Sequence, residues 1–162
     1  MDAPGIGKTH AESWRQGYQG LFPPDTLDAA AGRRLEIWTA DAFGFKDGTL
    51  LVAEEAGDIS GFIHFGIAGS GNGIGEVYGL YVHPAYWGSG TAQALMHQAV
   101  ESLTEKFAEP ILWTHAGAGR ARSFYRKSGW SETGGQHQES LWDGVSYPAV
   151  QYGRTLTAIG GS

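Results

Sequence analysis

Residues 78–95 read YGLYVHPAYWGSGTAQAL, and this stretch decides the fold. An apolar, strand-like run ends at His83, a short glycine-bearing loop follows, and a helix begins at about Thr91. The small residues of positions 88–91 leave the backbone N–H groups at the helix start accessible. A helix N-terminus carries unsatisfied donors and the positive end of the helix dipole. We therefore predict a phosphate or pyrophosphate site at residues 87–92, although a tight turn without a ligand would use the same residues.

Length and composition indicate one globular domain. The chain has 162 residues, of which 41% are hydrophobic and 17% are charged. We expect a single domain over residues 1–156 and a flexible tail over residues 157–162. The net charge of −6 argues against a nucleic-acid or membrane-surface binder, because such proteins need clustered Lys and Arg.

Other classes of site are also disfavoured. The chain contains no cysteine, which excludes disulfides, thiolate metal sites and a cysteine nucleophile. The six histidines follow no metal-binding spacing, so no metal is expected. No apolar run approaches the roughly 18 residues of a membrane span, and the N-terminus lacks a signal-peptide core. We expect a cytoplasmic protein.

Hydrophobic periodicity predicts an alternation of helices and strands. Helices are predicted over residues 11–18, 27–42, 91–107 and 120–127, with Leu35 and Trp38 as core anchors. Strands are predicted over residues 49–54, 59–68, 76–82, 111–115, 130–133 and 146–156. Gly79 inside the third strand indicates a bulge or a close backbone approach. The order indicates an α/β or α+β architecture of three layers.

Three segments carry a resemblance to a known family. They are LYVHP at residues 80–84, YWGSGTA at residues 86–92 and ARSFYRKSGW at residues 121–130. Over about residues 10–156 the chain resembles the GNAT superfamily of acetyl-CoA-dependent N-acyltransferases. The first segment resembles the end of the family's central strand, and the second matches the loop signature Arg/Gln-x-x-Gly-x-Gly/Ala at Gly90 and Ala92. The third segment matches the family's Ala-x-x-Phe-Tyr-x-x-x-Gly-Phe element. The resemblance implies a mixed, mostly antiparallel sheet, flanked by helices and splayed at its central strand.

The resemblance also implies that acetyl-CoA is the acyl donor. The backbone amides of the loop would bind its pyrophosphate, namely those of Trp87, Gly88, Ser89, Gly90, Thr91 and Ala92. The pantetheine arm would lie along Leu80, Tyr81 and Val82. An exposed strand N–H near Tyr81 or Leu80 would then polarise the thioester carbonyl.

The chain departs from the family pattern at three places. Trp87 occupies the position of the leading Arg or Gln, so a cation or amide near the pyrophosphate is lost. Ala118 stands where many relatives carry a cofactor-contacting Asn. No strand is predicted before the first helix, where the family usually has one, so either the chain is shortened at its N-terminus or another element covers the sheet edge. An uncovered edge favours association, so a homodimer is a possible partner arrangement.

Two residues are candidates for proton transfer. The resemblance implies that Tyr125 protonates the leaving thiolate, and a core tyrosine with a satisfied hydroxyl is the less favoured alternative. Glu76 would accept the proton of the incoming amine, and its alternative is a solvated strand-end carboxylate. His83 is a rival base, but a histidine before proline at a strand end is more often structural. Because no cysteine is present to form a covalent acyl-enzyme, we expect direct attack of the amine on the thioester in a ternary complex.

The acceptor pocket is the least specified part of the sequence. Trp14, Arg15 and Tyr18 lie on the first helix, which covers the acceptor side in relatives, and Asp143 could pair with an amine. Core packing is the alternative for the aromatic residues. We predict an N-acetyltransferase acting on a primary amine, of a small molecule or of a protein. The alternative is a non-catalytic acyl-CoA-binding module of the same fold.

Overall fold

The computed structural model describes residues 2–38, 48–69, 73–141 and 145–154. The helices are α1 (Ala3–Gly17), α2 (Pro24–Ile37), α3 (Thr91–Thr104) and α4 (Gly119–Lys127). The strands are β1 (Thr49–Glu55), β2 (Asp58–Ile67), β3 (Gly75–Val82), β4 (Ile111–His115), β5 (Ser131–Ser140) and β6 (Ser146–Gly153). A single 3-10 turn, Pro84–Tyr86, separates β3 from the loop before α3.

The sheet is mixed and opens at its centre. Its strand order is β1-β2-β3-β4-β6-β5, and every neighbouring pair is antiparallel except β3 and β4. These two parallel strands pair only through Glu76 with Ile111 and Val77 with Leu112. By contrast, β4 pairs with β6 along all five of its residues. The expected mixed, mostly antiparallel sheet, splayed at its central strand, is therefore confirmed.

Gly79 lies beside a bulge, as its position in the sequence indicates. The β2–β3 register shifts between His64 and Phe65, which leaves Tyr78 as the extra residue on β3. A Cβ atom at Gly79 would lie 2.7 Å from Cε2 of Tyr81. The bulge directly follows Val77, the last residue of β3 that pairs with β4.

Helices cover both faces of the sheet. On one face, α3 and α4 pack over a core composed of Ile63, Phe65, Val77, Leu95, Met96, Ala99, Leu103, Leu112, Trp130 and Tyr152. On the other face, α1 and α2 pack over two further clusters that contain Trp14, Phe22, Leu27 and Trp38. The three-layer architecture follows from these two buried faces.

The helix pair α1–α2 is held by close packing and one buried hydrogen bond. A Cβ atom at Gly7 would lie 3.0 Å from Cβ of Trp38, so the two helices approach closely. Trp38 Nε1 donates to His10 Nδ1 at 3.0 Å. Trp38 is 1% exposed and is the core anchor that the sequence predicts. Leu35 was expected to be another, and that prediction is wrong, because Leu35 is 48% exposed.

Several element boundaries differ from the sequence prediction. The buried residues of α2 lie at Leu27, Ala30 and Ala31, and this stripe continues to Trp38 rather than through Leu35. The strand β5 extends to residue 140 instead of 133, because it pairs with β6 at the sheet edge without any buried residue of its own. None of the helices in the described ranges is long and apolar enough to cross a membrane.

Candidate active site

A cleft of about 740 Å³ opens where β3 and β4 diverge. Its walls are residues 78–82 of β3, residues 113–114 of β4, the loop before α3, and α4, together with Tyr18, the C-cap residue of α1. The predicted cofactor residues that line it are Leu80, Tyr81, Val82, Trp87, Gly88, Gly90, Thr91, Ala92 and Tyr125. The splay therefore brings the loop and the last helix to one site, although they are about 30 residues apart in sequence.

The loop before α3 leaves the start of that helix open. Gly88 has φ 82° and Gly90 has φ 91°, a left-handed conformation in which glycine carries no steric cost. Gly90 is the N-cap residue and has no side chain to cap the helix. The first amide of α3, that of Thr91, donates to Ser89 Oγ at 3.4 Å. Ser89 does not line the cleft; its hydroxyl donates to the carbonyl oxygen of Tyr86 at 2.6 Å and lies 2.8 Å from Thr91 Oγ1. The loop is thus held by its own hydrogen bonds, which include those from the amides of Trp87 and Ser89 to the carbonyl oxygens of Pro84 and Tyr86, both at 3.2 Å.

The side chain of Trp87 is held in place at the start of this loop. Its indole Nε1 donates to the carbonyl oxygen of Val82 at 2.8 Å. The guanidinium carbon of Arg120, from the first turn of α4, lies 4.1 Å from the centre of the indole ring. Both residues line the cleft. A cation therefore stands beside the loop even though Trp87 itself carries none.

Tyr81 connects the cleft to a buried histidine. Its ring centroid lies 4.3 Å from that of His10 and 5.3 Å from that of Phe62. Burial, and then the positive charge of Arg34, lower the pKa of His10 to about 3. His10 is therefore neutral at ordinary pH, with Nδ1 accepting the Trp38 hydrogen bond and the proton on Nε2.

Tyr125 reaches the cleft from the middle of α4. Its ring is half-buried and lies 5.9 Å from that of Tyr152, centroid to centroid. Burial raises the pKa of the Tyr125 phenol well above its ordinary value, with smaller contributions from Tyr81 and Tyr152. This phenol stays protonated over the whole physiological range, so it is available as a proton donor and not as a base.

A polar network holds α4 in place. Arg122 donates from Nη1 to the carbonyl oxygen of Ala116 at 2.6 Å and from Nε to the hydroxyl of Tyr152 at 3.0 Å. It also forms an ion pair with Glu132 of β5, and Arg126 donates to the Tyr152 hydroxyl at 3.3 Å. The network joins α4 to β5, β6 and the turn after β4, which fixes the helix that carries Tyr125.

Glu76 does not line the cleft. It lies where β3 and β4 are still paired, and it is half-buried. Burial, followed by the negative charge of Glu139, raises the pKa of Glu76, while His137 opposes the shift. The His137 ring lies 4.0 Å from that of Trp113, which is itself a wall of the cleft. Glu76 thus lies outside the cleft, two residues before Tyr78, the first residue of β3 that lines it.

The other candidates occupy different places. His83 accepts a hydrogen bond at Nδ1 from the N–H of Ala85 at 3.1 Å and so caps the 3-10 turn. Trp14 is 2% exposed, and Arg15 pairs with Glu12 at 2.6 Å and with Asp28 at 3.5 Å.

Of the predicted acceptor residues in the described ranges, Tyr18 is the one that lines the cleft. Burial raises the pKa of its phenol, with the nearby phenols of Tyr81 and Tyr147 as the next contributors. Asp143 lies outside the described residues.

Three residues that line the cleft were not predicted from the sequence, namely Trp113, Arg120 and Lys127. Trp113 follows the buried Leu112 in β4, so strand alternation alone puts its side chain on the opposite face of the sheet. Arg120 stands seven residues before Lys127, a spacing that places both on one helix face, and both line the cleft. Among the described residues, no group of three or more His, Cys, Asp or Glu side chains is arranged to hold a metal ion.

Comparisons with known proteins agree with this geometry. The profile of the acetyltransferase (GNAT) family matches residues 10–130. An uncharacterised N-acetyltransferase, YuaI of Bacillus subtilis strain 168, is 28% identical over 116 residues. That match covers 69% of this chain and 65% of the relative's length, so the chain spans about two-thirds of it.

Solved structures share the fold. The PaiA N-acetyltransferase of Thermoplasma acidophilum, crystallised with coenzyme A, aligns with a TM-score of 0.70 at 19% identity, over 95% of this chain and 92% of that one. A GCN5-related N-acetyltransferase of Rhodopseudomonas palustris aligns with a TM-score of 0.73 at 20% identity, over 96% and 90%. The family profile covers three-quarters of the sequence and includes β3, the loop and α4. The chain belongs to the GNAT family of acetyltransferases.

Proposed function

We propose that this protein is an N-acetyltransferase that transfers the acetyl group of acetyl-CoA to a primary amine. The observation that carries the proposal is the cleft at the splay, which brings the N-terminus of α3 and the phenol of Tyr125 to one site. The proposal treats residues 1–156 as a single domain.

The cleft suits an acyl-CoA donor. Within residues 87–92, the amides of Trp87 and Ser89 already donate to the carbonyl oxygens of Pro84 and Tyr86. The amides of Gly88, Gly90 and Ala92 would therefore bind the diphosphate, at the positive end of the α3 dipole. The pantetheine arm would lie along Leu80, Tyr81 and Val82, where β4 no longer pairs with β3. The coenzyme A complex of the PaiA enzyme, which shares this fold, supports the same donor class.

The proposed reaction is a direct transfer. The amine nitrogen attacks the thioester carbonyl carbon, the C–S bond breaks, and its electron pair goes to sulfur. A cationic amine first gives one proton to Glu76, and after the attack its nitrogen loses a second proton to solvent. The thiolate gains a proton from Tyr125, and Glu76 and Tyr125 return to their starting states by proton exchange with solvent, so that one proton is released per turnover and charge balances. A covalent acyl-cysteine is excluded because the chain has no cysteine.

Glu76 is proposed as the proton acceptor of the amine. Its raised pKa brings the carboxylate closer to neutral pH and makes it a better base than an exposed glutamate. Because Glu76 does not line the cleft, we propose that the proton reaches it through intervening water. His83, whose Nδ1 is occupied by the Ala85 N–H, is the weaker candidate.

The acceptor is proposed to enter beside Tyr18 and Trp113, two aromatic walls of the cleft. Electron-rich rings bind cationic amines through their faces. Trp14 would support Tyr18 from behind, at 4.3 Å between ring centroids, and Arg15 would hold α1 against α2 through Asp28. A role for Asp143 stays a prediction from the sequence.

A thiol-release assay tests the proposal. The purified protein is incubated with acetyl-CoA and a panel of polyamines, aminoglycosides, amino-acid derivatives and peptide N-termini. We expect coenzyme A release with at least one amine, and we expect Tyr125→Phe to lose turnover by about 100-fold or more while acetyl-CoA binding is retained. Tight binding of coenzyme A without turnover for any amine would instead support the non-catalytic binding module.

A further inference from the structure

The four cationic side chains of α4 lie on two different faces of the helix. Arg122 and Arg126 donate hydrogen bonds to the Tyr152 hydroxyl, on the side of the helix that packs on the sheet. Arg120 and Lys127 line the cleft instead. These two are seven residues apart, so they lie two turns apart on the same face of the helix.

The cleft is positive although the chain is acidic overall. The chain carries 17 acidic and 11 basic residues, yet the described residues that line the cleft include Arg120 and Lys127 and no carboxylate. A concave site of one charge sign concentrates ligands of the opposite sign. The charge of this cleft therefore favours an anionic ligand at the end where Arg120 and the loop meet.

Arg120 is pre-positioned by Trp87. The indole is tied to the Val82 carbonyl oxygen at 2.8 Å, and the guanidinium lies 4.1 Å above its ring. When a guanidinium stacks on the face of an aromatic ring, its N–H groups point outward from its own edge. They therefore remain able to donate hydrogen bonds to a phosphate. Within the described ranges, no carboxylate forms an ion pair with Arg120.

We infer that Arg120 is a donor-binding residue that contacts the diphosphate of acyl-CoA, with Trp87 as its platform. The inference rests on the proposed function and adds a residue to it. Trp87 carries no charge for the diphosphate, and Arg120 supplies that charge from α4, across the cleft from the loop amides. In this chain, Arg120 of α4 would thus supply the positive charge that the family's Arg supplies at position 87, and Trp87 would hold Arg120 in place.

The test is calorimetric titration of acetyl-CoA into matched variants. Arg120 is exposed, so its substitution leaves the fold intact. We expect Arg120→Gln to raise the Kd about tenfold, as for one lost charge-assisted hydrogen bond at a solvated site. Arg120→Lys keeps the charge without the planar stack and should recover part of the loss. The control is Lys106→Gln, which removes the same charge from an exposed site after the far end of α3 and should leave the Kd unchanged.

A second ligand identifies the phosphate. Dephospho-coenzyme A keeps the diphosphate and lacks the 3′-phosphate, so Arg120→Gln should weaken it by the same factor as coenzyme A. Raising the salt from about 50 to about 500 mM should reduce the difference between Arg120→Gln and the wild type. In a Trp87→Leu background, the effect of Arg120→Gln should be smaller, because the platform is gone.

The outcomes separate the two proposals. Equal Kd values for Arg120→Gln and the wild type would overturn this inference and leave the proposed function standing. A loss seen with coenzyme A but absent with dephospho-coenzyme A would assign Arg120 to the 3′-phosphate and overturn the diphosphate contact. Failure of the wild type to bind acetyl-CoA at all would overturn the proposed function itself.

Discussion

Mild acid should destabilise this protein through His10. The side chain is 6% exposed, packs against the rings of Phe62 and Tyr81, and accepts the indole N–H of Trp38 at Nδ1. Protonation would break that hydrogen bond and place a charge in the core beside Arg34. Burial of that charge, and then its repulsion by Arg34, lower the pKa of His10 to about 3 in the folded state.

The sign and size of the effect follow from linkage. The unfolded chain binds a proton at His10 near pH 6.5, and the folded chain does so only near pH 3. The stabilisation by neutral His10 is therefore fully present above about pH 6.5 and is lost as the pH falls towards 3. Each pH unit in that window costs about 1.4 kcal/mol, so the free energy of unfolding drops by about 2 kcal/mol between pH 7 and pH 5 from this group alone.

Urea unfolding at pH 7, 6 and 5 measures this contribution. His10→Asn keeps an acceptor oxygen but cannot titrate, so the free-energy difference between wild type and variant should shrink by about 2 kcal/mol over that range. The control is His97→Asn on α3, where the histidine side chain is 72% exposed. It should follow the wild-type pH dependence. Parallel curves for wild type and His10→Asn would refute the argument.

Three further predictions concern the site and its supports. Glu76→Gln should remove the acidic limb of the kcat/KM pH profile, since the raised pKa of Glu76 gives that limb; an unchanged limb would exclude it as the base. Gly90→Ala should lower the free energy of unfolding in urea by about 1–2 kcal/mol and weaken acetyl-CoA binding. Backbone strain is the cause, because φ at Gly90 is 91° and an added Cβ would meet no atom within 4 Å. Arg122→Ala should lower the free energy of unfolding by about 2–3 kcal/mol through its lost bonds to Ala116 and Tyr152; a loss below about 0.5 kcal/mol would contradict the anchoring role of this network.

The sequence predicts the central part of the fold well because its signals there are local. The apolar run of β3, the glycines at residues 88 and 90 and the apolar stripe of α3 each act within a few residues. The bulge beside Gly79 also has a local signal, a glycine inside a strand. These features specify β3, the loop and α3 in their observed order.

Contacts between distant segments were not predictable in the same way. β5 is a polar edge strand whose length is set by pairing with β6, so periodicity cannot reveal it. Arg120 and Trp87 meet across the cleft from positions 33 residues apart. Trp14 and Tyr18 share one face of α1, but only the depth of the helix in the structure places Trp14 in the core and Tyr18 at the cleft.

Calorimetric titration of the wild-type protein with acetyl-CoA tests the central claim most directly. The account predicts saturable one-site binding in the micromolar range, competed by coenzyme A. It also predicts that the bound donor quenches the fluorescence of Trp87 or Trp113 in the cleft. No heat and no fluorescence change with either ligand would contradict the claim that this cleft binds an acyl-CoA donor.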